Sequence, residues 1–410
     1  MDRVVVITDL AEAAGGATSL AIASAAGPRK RGVPVTYITS DGPVGDDLAA
    51  SGADIVPLPG SPVSPGARLK GMAVGLYRGS VAAAVGRWIA DNDTPGTVYH
   101  LHNWAKFLSP AVFRPLSRVG DRLVLTTHDF FLSCPNGAQY SFAEEAVCAR
   151  RGNSLACLSH ACDRRNYADK LWRSARHAMR QAMFDVARSK AAVVAIHEGM
   201  IPGLTLGGVP HASIEVIRNP VRPFTDARVQ VEQNRDVLFV GRLTYEKGPD
   251  LAAMAAVRAG LRPRFVGAGP LETRVREIAP DAVLDGWQDR EAIGAIASQA
   301  RMLVMPSRWA EPYGMVAAEG LWSGLPVIAS DSAYLGPEIA AAGAGYAVDT
   351  RDVDAFAQAL SRLAQDDALA RRMSEAALTA TGHLGNTLTD WEDRHMALYE
   401  RRLSGARRVQ

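Results

Sequence analysis

The chain has no stretch of about 20 uncharged apolar residues, which excludes a helix crossing a bilayer. It also has almost no net charge: 45 Lys and Arg face 43 Asp and Glu, for a formal charge of +2. No global field therefore marks a nucleic-acid binder, and nucleic acid is not an expected partner. Cysteine is scarce and confined. Cys134, Cys148, Cys157 and Cys162 are the only four in 410 residues, a distribution that does not suit a disulfide framework. The lengths between them are 13, 8 and 4 residues. No Cys-x-x-Cys knuckle exists, so zinc is not strongly indicated. Plain buried thiols and a structural metal or cysteine cluster both fit this spacing. The opening MDRVVVITDL lacks a basic n-region, a long apolar h-region and a small-residue cleavage site. It reads as the first buried strand of a cytoplasmic protein.

What the chain does have is length for two domains and a globular composition, 48% hydrophobic and 21% charged. Short apolar runs alternate with Ala-rich helical segments. Residues 4–7, 33–38, 55–58, 97–101, 123–126 and 192–195 are predicted strands, with helices such as 17–26 and 81–90 between them. This alternation predicts a parallel sheet covered on both faces. It pauses at 217–223, where two prolines disfavour helix. It restarts with strands at 237–240, 264–266, 283–284, 302–305 and 326–329. The predicted domains are 1–220 and 221–385, with a hinge near 219–226. After about residue 349 the composition is helical, and Leu388, Trp391 and Leu398 share one helical face.

Ligands in such sheets bind at the carboxyl ends of the strands, and the unusual residues fall there. Gly241-Arg242-Leu243-Thr244-Tyr245-Glu246-Lys247-Gly248 follows the strand at 237–240. Gly241 permits a tight turn, and a helix is expected from Pro249. Arg242 and Lys247 put two cations near a helix N-terminus, the combination a diphosphate needs. A solvated loop with two surface cations is the plain alternative. Gly267-Ala268-Gly269-Pro270-Leu271-Glu272 follows the next strand. Its glycines suit close approach to a ligand, or simply a turn into a helix. They do not make a dinucleotide fingerprint. In Glu311-Pro312-Tyr313-Gly314-Met315-Val316-Ala317-Ala318-Glu319 a helix is expected over 312–323, stopped at Gly324. Glu311 would then sit at the helix mouth and Glu319 two turns in. Taken singly, one reads as a cap and the other as a solvated charge. Glu319 lies among Val316, Ala317, Ala318, Leu321 and Trp322, however, and a buried carboxylate needs partners. Sugar hydroxyls would supply them. In the first half, Gly15-Gly16 and Thr126-Thr127-His128-Asp129 each follow a strand. His128 suits a bond to a sugar hydroxyl, or plain packing. His100 and His102 share a strand face, but spacing fixes no third ligand and no metal is expected.

In their order along nearly the whole chain, these residues resemble the retaining family 4 glycosyltransferases of the GT-B fold. The likeness rests on Gly15-Gly16, Thr127-His128-Asp129, Asn219-Pro220, Gly241-Arg242-Leu243 with Lys247-Gly248, and the run from Gly267 to Leu271. It continues through Glu311 and Glu319, then Gly324-Leu325-Pro326-Val327-Ile328-Ala329-Ser330, and Gly336-Pro337-Glu338. It implies an α/β fold of two Rossmann-like domains facing a central cleft. Residues 386–410 would cross back onto the N-terminal, acceptor-side domain, and 221–385 would bind the donor. It implies an enzyme, a hexosyltransferase moving sugar from a nucleoside-diphosphate sugar to a glycan or lipid-linked glycan with retention of configuration. His128, Arg242, Lys247 and Glu311 are the implied catalytic residues. Arg242 and Lys247 would neutralise the departing diphosphate, Glu311 would hold sugar hydroxyls, and His128 would meet the sugar near its reacting face. Gly15, Gly16, Gly241, Gly267, Gly269, Tyr313, Gly314, Met315, Val316 and Glu319 are the implied donor contacts, Glu319 on the ribose. Backbone amides over 334–336 would touch phosphate or sugar. Neither a catalytic metal nor another cofactor is implied. Ala333-Tyr334-Leu335-Gly336-Pro337 replaces the commoner Gly-Gly-Leu-Pro form, and His197-Glu198 stands where serine is usual. A nucleotide-sugar epimerase and a non-catalytic scaffold are the alternatives. The first should show extra acid–base carboxylates. The second would normally have lost one of Arg242, Lys247, Glu311 and Glu319, and all four are present. A dehydrogenase is disfavoured because no complete dinucleotide fingerprint appears.

The segment with Cys157, Cys162-Asp163 and residues 167–172 is similar to a subset of bacterial polysaccharide glycosyltransferases, which implies polysaccharide biosynthesis. Residues 163–190 form a predicted basic helix. Arg164, Arg165, Lys170, Arg173, Arg176, Arg180 and Arg188 interleave with Tyr167, Leu171, Trp172, Met179, Met183 and Val186. A core-packing helix with a solvated basic face is one reading. Contact with anionic lipid headgroups, peripheral on the inner face of the membrane, is the other.

Overall fold

The computed structural model describes residues 1–12, 15–40, 42–60 and 68–407. The chain divides into two compact units, Met1–Ile217 with Thr389–Gln410, and Arg218–Leu388.

The first unit is built on β1 (Arg3–Ile7), β2 (Val35–Ser40), β3 (Asp54–Leu58), β4 (Thr97–Leu101) and β5 (Leu123–Thr127). A short antiparallel pair follows, β6 (Tyr140–Ser141) and β7 (Ala146–Val147), then β8 (Ala192–Ala195) and β9 (Ile214–Val216). The main sheet runs β3-β2-β1-β4-β5-β8-β9, all parallel. Val4, Val5 and Val6 have no exposed surface, as a strand covered on both faces requires. In the helix Gly16–Lys30, Ala21 and Ala25 are fully buried, and such small side chains let a helix lie close to a sheet. The sheet order reverses at β1 and β4. Just beyond β1, buried Asp9 accepts hydrogen bonds from the backbone amides of Lys106, Phe107 and Leu108 at 2.8, 2.9 and 2.8 Å. One carboxylate thus joins the loops that follow the two strands at the reversal.

The final helix, Leu388–Arg407, belongs to the first unit from Thr389 onward. Glu392 is paired with Arg31 at 2.7 Å and Lys30 at 3.3 Å, and Arg401 with Glu215 at 2.6 Å. The Tyr399 hydroxyl lies 2.6 Å from His100 Nδ1.

The second unit holds β10 (Asp236–Val240), β11 (Pro263–Val266), β12 (Val283–Gly286), β13 (Ala300–Met305), β14 (Val327–Ser330) and β15 (Gly345–Val348). Their order is β12-β11-β10-β13-β14-β15, again parallel throughout. Here the order reverses at β10 and β13. Arg301 on β13 is fully buried, yet satisfied. Its guanidinium donates to the carbonyls of Leu363, Ala364 and Val231 and to Asp367. The Leu363 and Ala364 carbonyls lie in the last turn of the helix Val353–Gln365, where they lack intrahelical donors.

Every predicted strand is present, with ends moved by a residue or two. The short pair β6 and β7 and the edge strands β9 and β15 were not predicted. β9 is Ile-Glu-Val and β15 opens with glycine; neither carries a sustained apolar run. Two helix predictions need correction. The helix expected over 312–323 is Met315–Leu321. Gly314 sits at φ 82°, a left-handed conformation that holds Pro312 and Tyr313 outside the helix.

The basic helix expected over 163–190 is Tyr167–Met183, followed by a separate turn, Val186–Ser189. Its amphipathic sense is also reversed. Lys170, Arg176 and Arg180 are buried, while Leu171, Met179 and Tyr167 are exposed. The inner face meets irregular backbone whose carbonyls need donors. Arg176 donates to the Ala105 carbonyl at 2.9 Å and lies 4.8 Å from the Phe131 ring centre. Arg180 donates to the carbonyls of Leu132 at 2.7 Å and Phe184 at 3.2 Å. Cations go inward because the segment they cover is a loop rather than a sheet face.

Candidate functional site

In the second unit the reversal between β10 and β13 sets the loops 241–248 and 306–314 side by side at the carboxyl ends of the strands. This is where a doubly wound sheet takes its ligand. Lys247 Nζ donates to both oxygens of Glu311, at 2.8 and 2.7 Å. Ser307 Oγ and Trp309 Nε1 add donors to Glu311 Oε2 at 3.0 and 3.1 Å. Burial alone would push this carboxyl upward. The Lys247 ammonium, with Ser307 and Trp309, outweighs it and holds Glu311 below its ordinary value. The carboxylate is therefore ionised and fixed. Arg242 differs: its side chain is 70% exposed and meets Glu246 only at 3.8 Å. It is a guanidinium at the strand ends with no close ion pair. Arg308 is neutralised by Asp250 at 2.6 Å and lies over Tyr245.

The glycines of this face have a structural cause. A Cβ on Gly267 would lie 2.0 Å from the Gly241 carbonyl oxygen, and one on Gly269 would lie 2.5 Å from that of Leu243. The loops after β10 and β11 are stitched together by Gly241 N to Val266 O at 2.9 Å and Leu243 N to Ala268 O at 3.0 Å. The close approach that Gly267 and Gly269 permit is thus to the neighbouring loop.

Other predicted donor contacts fall differently. Glu319 has an ion-pair partner in Arg290, at 3.1 Å. Burial raises its carboxyl above the ordinary value, and Arg290 only partly offsets this. Arg290 also donates to the carbonyls of Arg222 and Pro223. The Tyr313 side chain is 2% exposed, and its hydroxyl donates to the carbonyls of Leu384 at 2.7 Å and Asn219 at 3.2 Å. The side chain thus holds the loop in place. Gly314, Met315 and Val316 do open a helix, whose first amides lack intrahelical acceptors. Further along, the Tyr334 amide bonds the Glu311 carbonyl at 3.3 Å and the Gly336 amide that of Ala333 at 2.9 Å. Neither is left for phosphate.

In the first unit, Gly15 caps the helix that begins at Gly16, with no described residue within 4 Å of where a Cβ would stand. His128 follows β5, and its Nε2 lies 3.0 Å from His102 Nδ1. The imidazoles of His102, His100 and His395 continue the cluster, with centroid separations of 4.0 Å and 5.5 Å. Burial holds His100 and His102 well below the ordinary imidazole value, and His128 and His395 down to about 4. Neighbouring Asp129 is pushed up to about 6 by burial. All four cysteines are buried and free. Among the described residues, no three of them bring their sulfurs together as metal ligands would. Sequence reasoning missed Ser307, Trp309, Arg290 and Asp9. Only the run Pro306-Ser307-Arg308-Trp309 directly after a strand offered a signal.

Residues 222–379 match the family model described as Glycosyl transferases group 1. The chain is similar to a glycogen synthase of Mycobacterium tuberculosis, 27% identical over 274 residues that cover 62% of this chain and 63% of that protein. It is similar to a D-inositol 3-phosphate glycosyltransferase of Nocardioides sp., 30% identical over 224 residues, covering 48% and 45%. The chain thus spans less than two thirds of the length of these curated relatives. Among solved structures, a sucrose-phosphate synthase from Thermosynechococcus elongatus superposes with a TM-score of 0.70 at 18% identity, covering 98% of this chain and 100% of that one. HepE of Anabaena, solved with UDP and glucose, gives 0.66 at 15% identity, covering 98% and 99%. At these identities the likeness establishes the fold. The chain has the GT-B fold, and its residues 222–379 are similar in sequence to the glycosyl transferases of group 1.

Proposed function

We propose that this chain is a retaining glycosyltransferase that moves a sugar from a nucleoside-diphosphate sugar to a glycan or lipid-linked glycan, in bacterial polysaccharide assembly. The observation that carries this reading is that the β10 and β13 ends hold both an exposed Arg242 and a Glu311 that Lys247 keeps ionised. An ionised carboxylate accepts from sugar hydroxyls, and a guanidinium fork matches phosphate oxygens. Arg242 and Lys247 stabilise the diphosphate as negative charge builds on it. Glu311 orients the donor sugar, with Met315 and Val316 supplying helix-terminal amides. Glu319 takes the ribose, positioned by Arg290. Gly241, Gly267 and Gly269 give the loops their shape. His128 serves the sugar, and Gly15 and Gly16 the phosphate, from the first unit. The names of the similar proteins, and the UDP and glucose bound to HepE, support a nucleotide-sugar donor.

A thermal-shift panel of UDP, GDP, ADP and their sugars tests the reading. One base is expected to raise the melting temperature, since a ligand at 100 times its Kd adds about 2.7 kcal/mol to the native state. A chain indifferent to every nucleotide and nucleotide sugar is not this transferase.

Peripheral contact with an anionic membrane belongs to the same reading. No helix among the described residues is long and apolar enough to cross a bilayer. Around the helix Tyr167–Met183, however, Leu155, Leu171 and Met179 are exposed, Leu155 by 86%, and Arg164, Arg165, Arg188 and Lys190 are exposed beside them. Apolar side chains enter the interface while cations meet headgroups. Vesicles containing anionic lipid are expected to co-sediment the protein at low salt, and neutral vesicles to leave most of it in solution. Equal binding to both, or none to either, removes the membrane from the proposal.

A further inference from the structure

Lys170 is 1% exposed. Its ammonium donates to Cys157 Sγ and Cys162 Sγ, each at 3.2 Å. Cys157 and Cys162 are themselves buried, at 5% exposure each. Burying an ammonium is costly without a counter-charge, and the groups acting most strongly on this one are the two thiols. The arrangement belongs to the first unit, and neither proposed catalysis nor membrane contact uses it. A lysine amine held in van der Waals contact with two thiols, away from bulk water, is an unusual pair of nucleophiles. Oxidation of either sulfur would place an electrophile directly against the nitrogen.

We propose that Lys170 and one of these two cysteines form a covalent modification site, in which Nζ and Sγ become joined through a single oxygen atom on oxidation by dioxygen. The step balances with one dioxygen per bridge. The Lys170 ammonium first releases one proton to solvent; one N–H bond of the resulting amine and the S–H bond then break, and N–O and O–S bonds form. The second oxygen atom leaves as water with the two hydrogens. Nitrogen and sulfur each give up two electrons, which accounts for the four that dioxygen takes. The bridge ties the segment containing Cys157 and Cys162 to the helix Tyr167–Met183. Its influence extends further through Asn136, which donates to Cys162 Sγ at 3.5 Å and accepts from Cys134 Sγ at 3.0 Å. Asn136 lies in the loop that follows His128, so the linkage stiffens the chain next to that imidazole.

Peptide mass spectrometry of the full chain, kept anaerobic with thiol reductant or exposed to air, decides the matter. Cys157 and Cys162 fall on one tryptic peptide between Arg151 and Arg164, and Lys170 falls on a later one. The aerated protein is expected to resist cleavage after Lys170 and to yield the two peptides joined, heavier than their sum by one oxygen and lighter by two hydrogens. Reductant should release them, and the anaerobic sample should contain none. Single Cys157→Ser and Cys162→Ser chains identify the sulfur, and Lys170→Arg, which keeps the charge, should abolish the link. If a variant does not fold, the parent peptides still decide. Normal cleavage after Lys170 in aerated protein overturns the proposal. So does a disulfide confined to the one cysteine peptide, or a direct sulfur–nitrogen link without oxygen.

Discussion

An Arg242→Ala chain is expected to fold like its parent and to transfer sugar about 10²–10³ times more slowly. The two halves of that expectation have separate causes. The Arg242 side chain is 70% exposed and makes no close ion pair, with Glu246 at 3.8 Å. Substitutions at such positions usually move stability by no more than about 0.5 kcal/mol. If the guanidinium meets a diphosphate, its attraction grows as the sugar bond breaks and charge collects on the leaving group. Its loss then falls mainly on kcat rather than on KM. The loss should be smaller for Arg242→Lys, which keeps the charge but not the fork. Steady-state kinetics of transfer, or of donor hydrolysis, reads both numbers. A chain whose kcat is unchanged while KM rises would show Arg242 to be a plain binding residue. Lys247 offers a less clean comparison, because removing it strands the Glu311 carboxylate it holds at 2.7 Å.

The second large effect concerns acid. His100, His102, His128, His177 and His395 are all held neutral by burial, His128 and His395 down to about 4 and His177 to about 3. In the unfolded chain such imidazoles take a proton near pH 6.5. Between those values the unfolded state binds more protons, so stability is complete above about pH 6.5 and declines as pH falls toward 4. A single histidine depressed to about 4 accounts for a loss of about 3 kcal/mol at the bottom of that window. Asp129, raised to about 6, and Asp9, also raised, work the other way, because the folded state takes their protons first. The histidines outnumber them. Set against a total stability of about 5–15 kcal/mol, the first unit is expected to melt far lower near pH 5 than near pH 7.5. His395→Leu should shrink the difference, since it removes one member of the buried cluster. Equal melting temperatures at the two pH values would rule out a cluster buried and neutral as described.

Much of this was legible in the residue order. The strands were found because buried parallel strands are continuous apolar runs. Arg242, Lys247 and Glu311 stood out because charged residues directly after such runs have little structural reason to be there. What pairs with what was not legible. Periodicity places Glu319 on a helix, but Arg290 lies on another element and nothing local connects them. Tyr313 reads as part of a ligand loop, and only the structure shows its hydroxyl turned onto the carbonyls of Asn219 and Leu384. The helix Tyr167–Met183 is the clearest case. Its period is correct and its inner face is the polar one, because the surface beneath it is made of loop carbonyls. A rule that sends apolar side chains inward assumes an apolar surface to receive them.

The composition of the first unit from both ends of the chain has a consequence for the order in which the protein can be made. Synthesis runs from the N-terminal side, and Arg218–Leu388 is made in full before Thr389 is added. The segment from Arg218 to Leu388 is contiguous and needs no later residue to close around its own sheet. The first unit, although begun earlier, waits until the last helix arrives. Until then His100 has no Tyr399 beside it and Arg31 has no Glu392. The nascent chain must carry an incomplete N-terminal unit through the whole synthesis of its neighbour, because the residues that complete it are translated only after that neighbour.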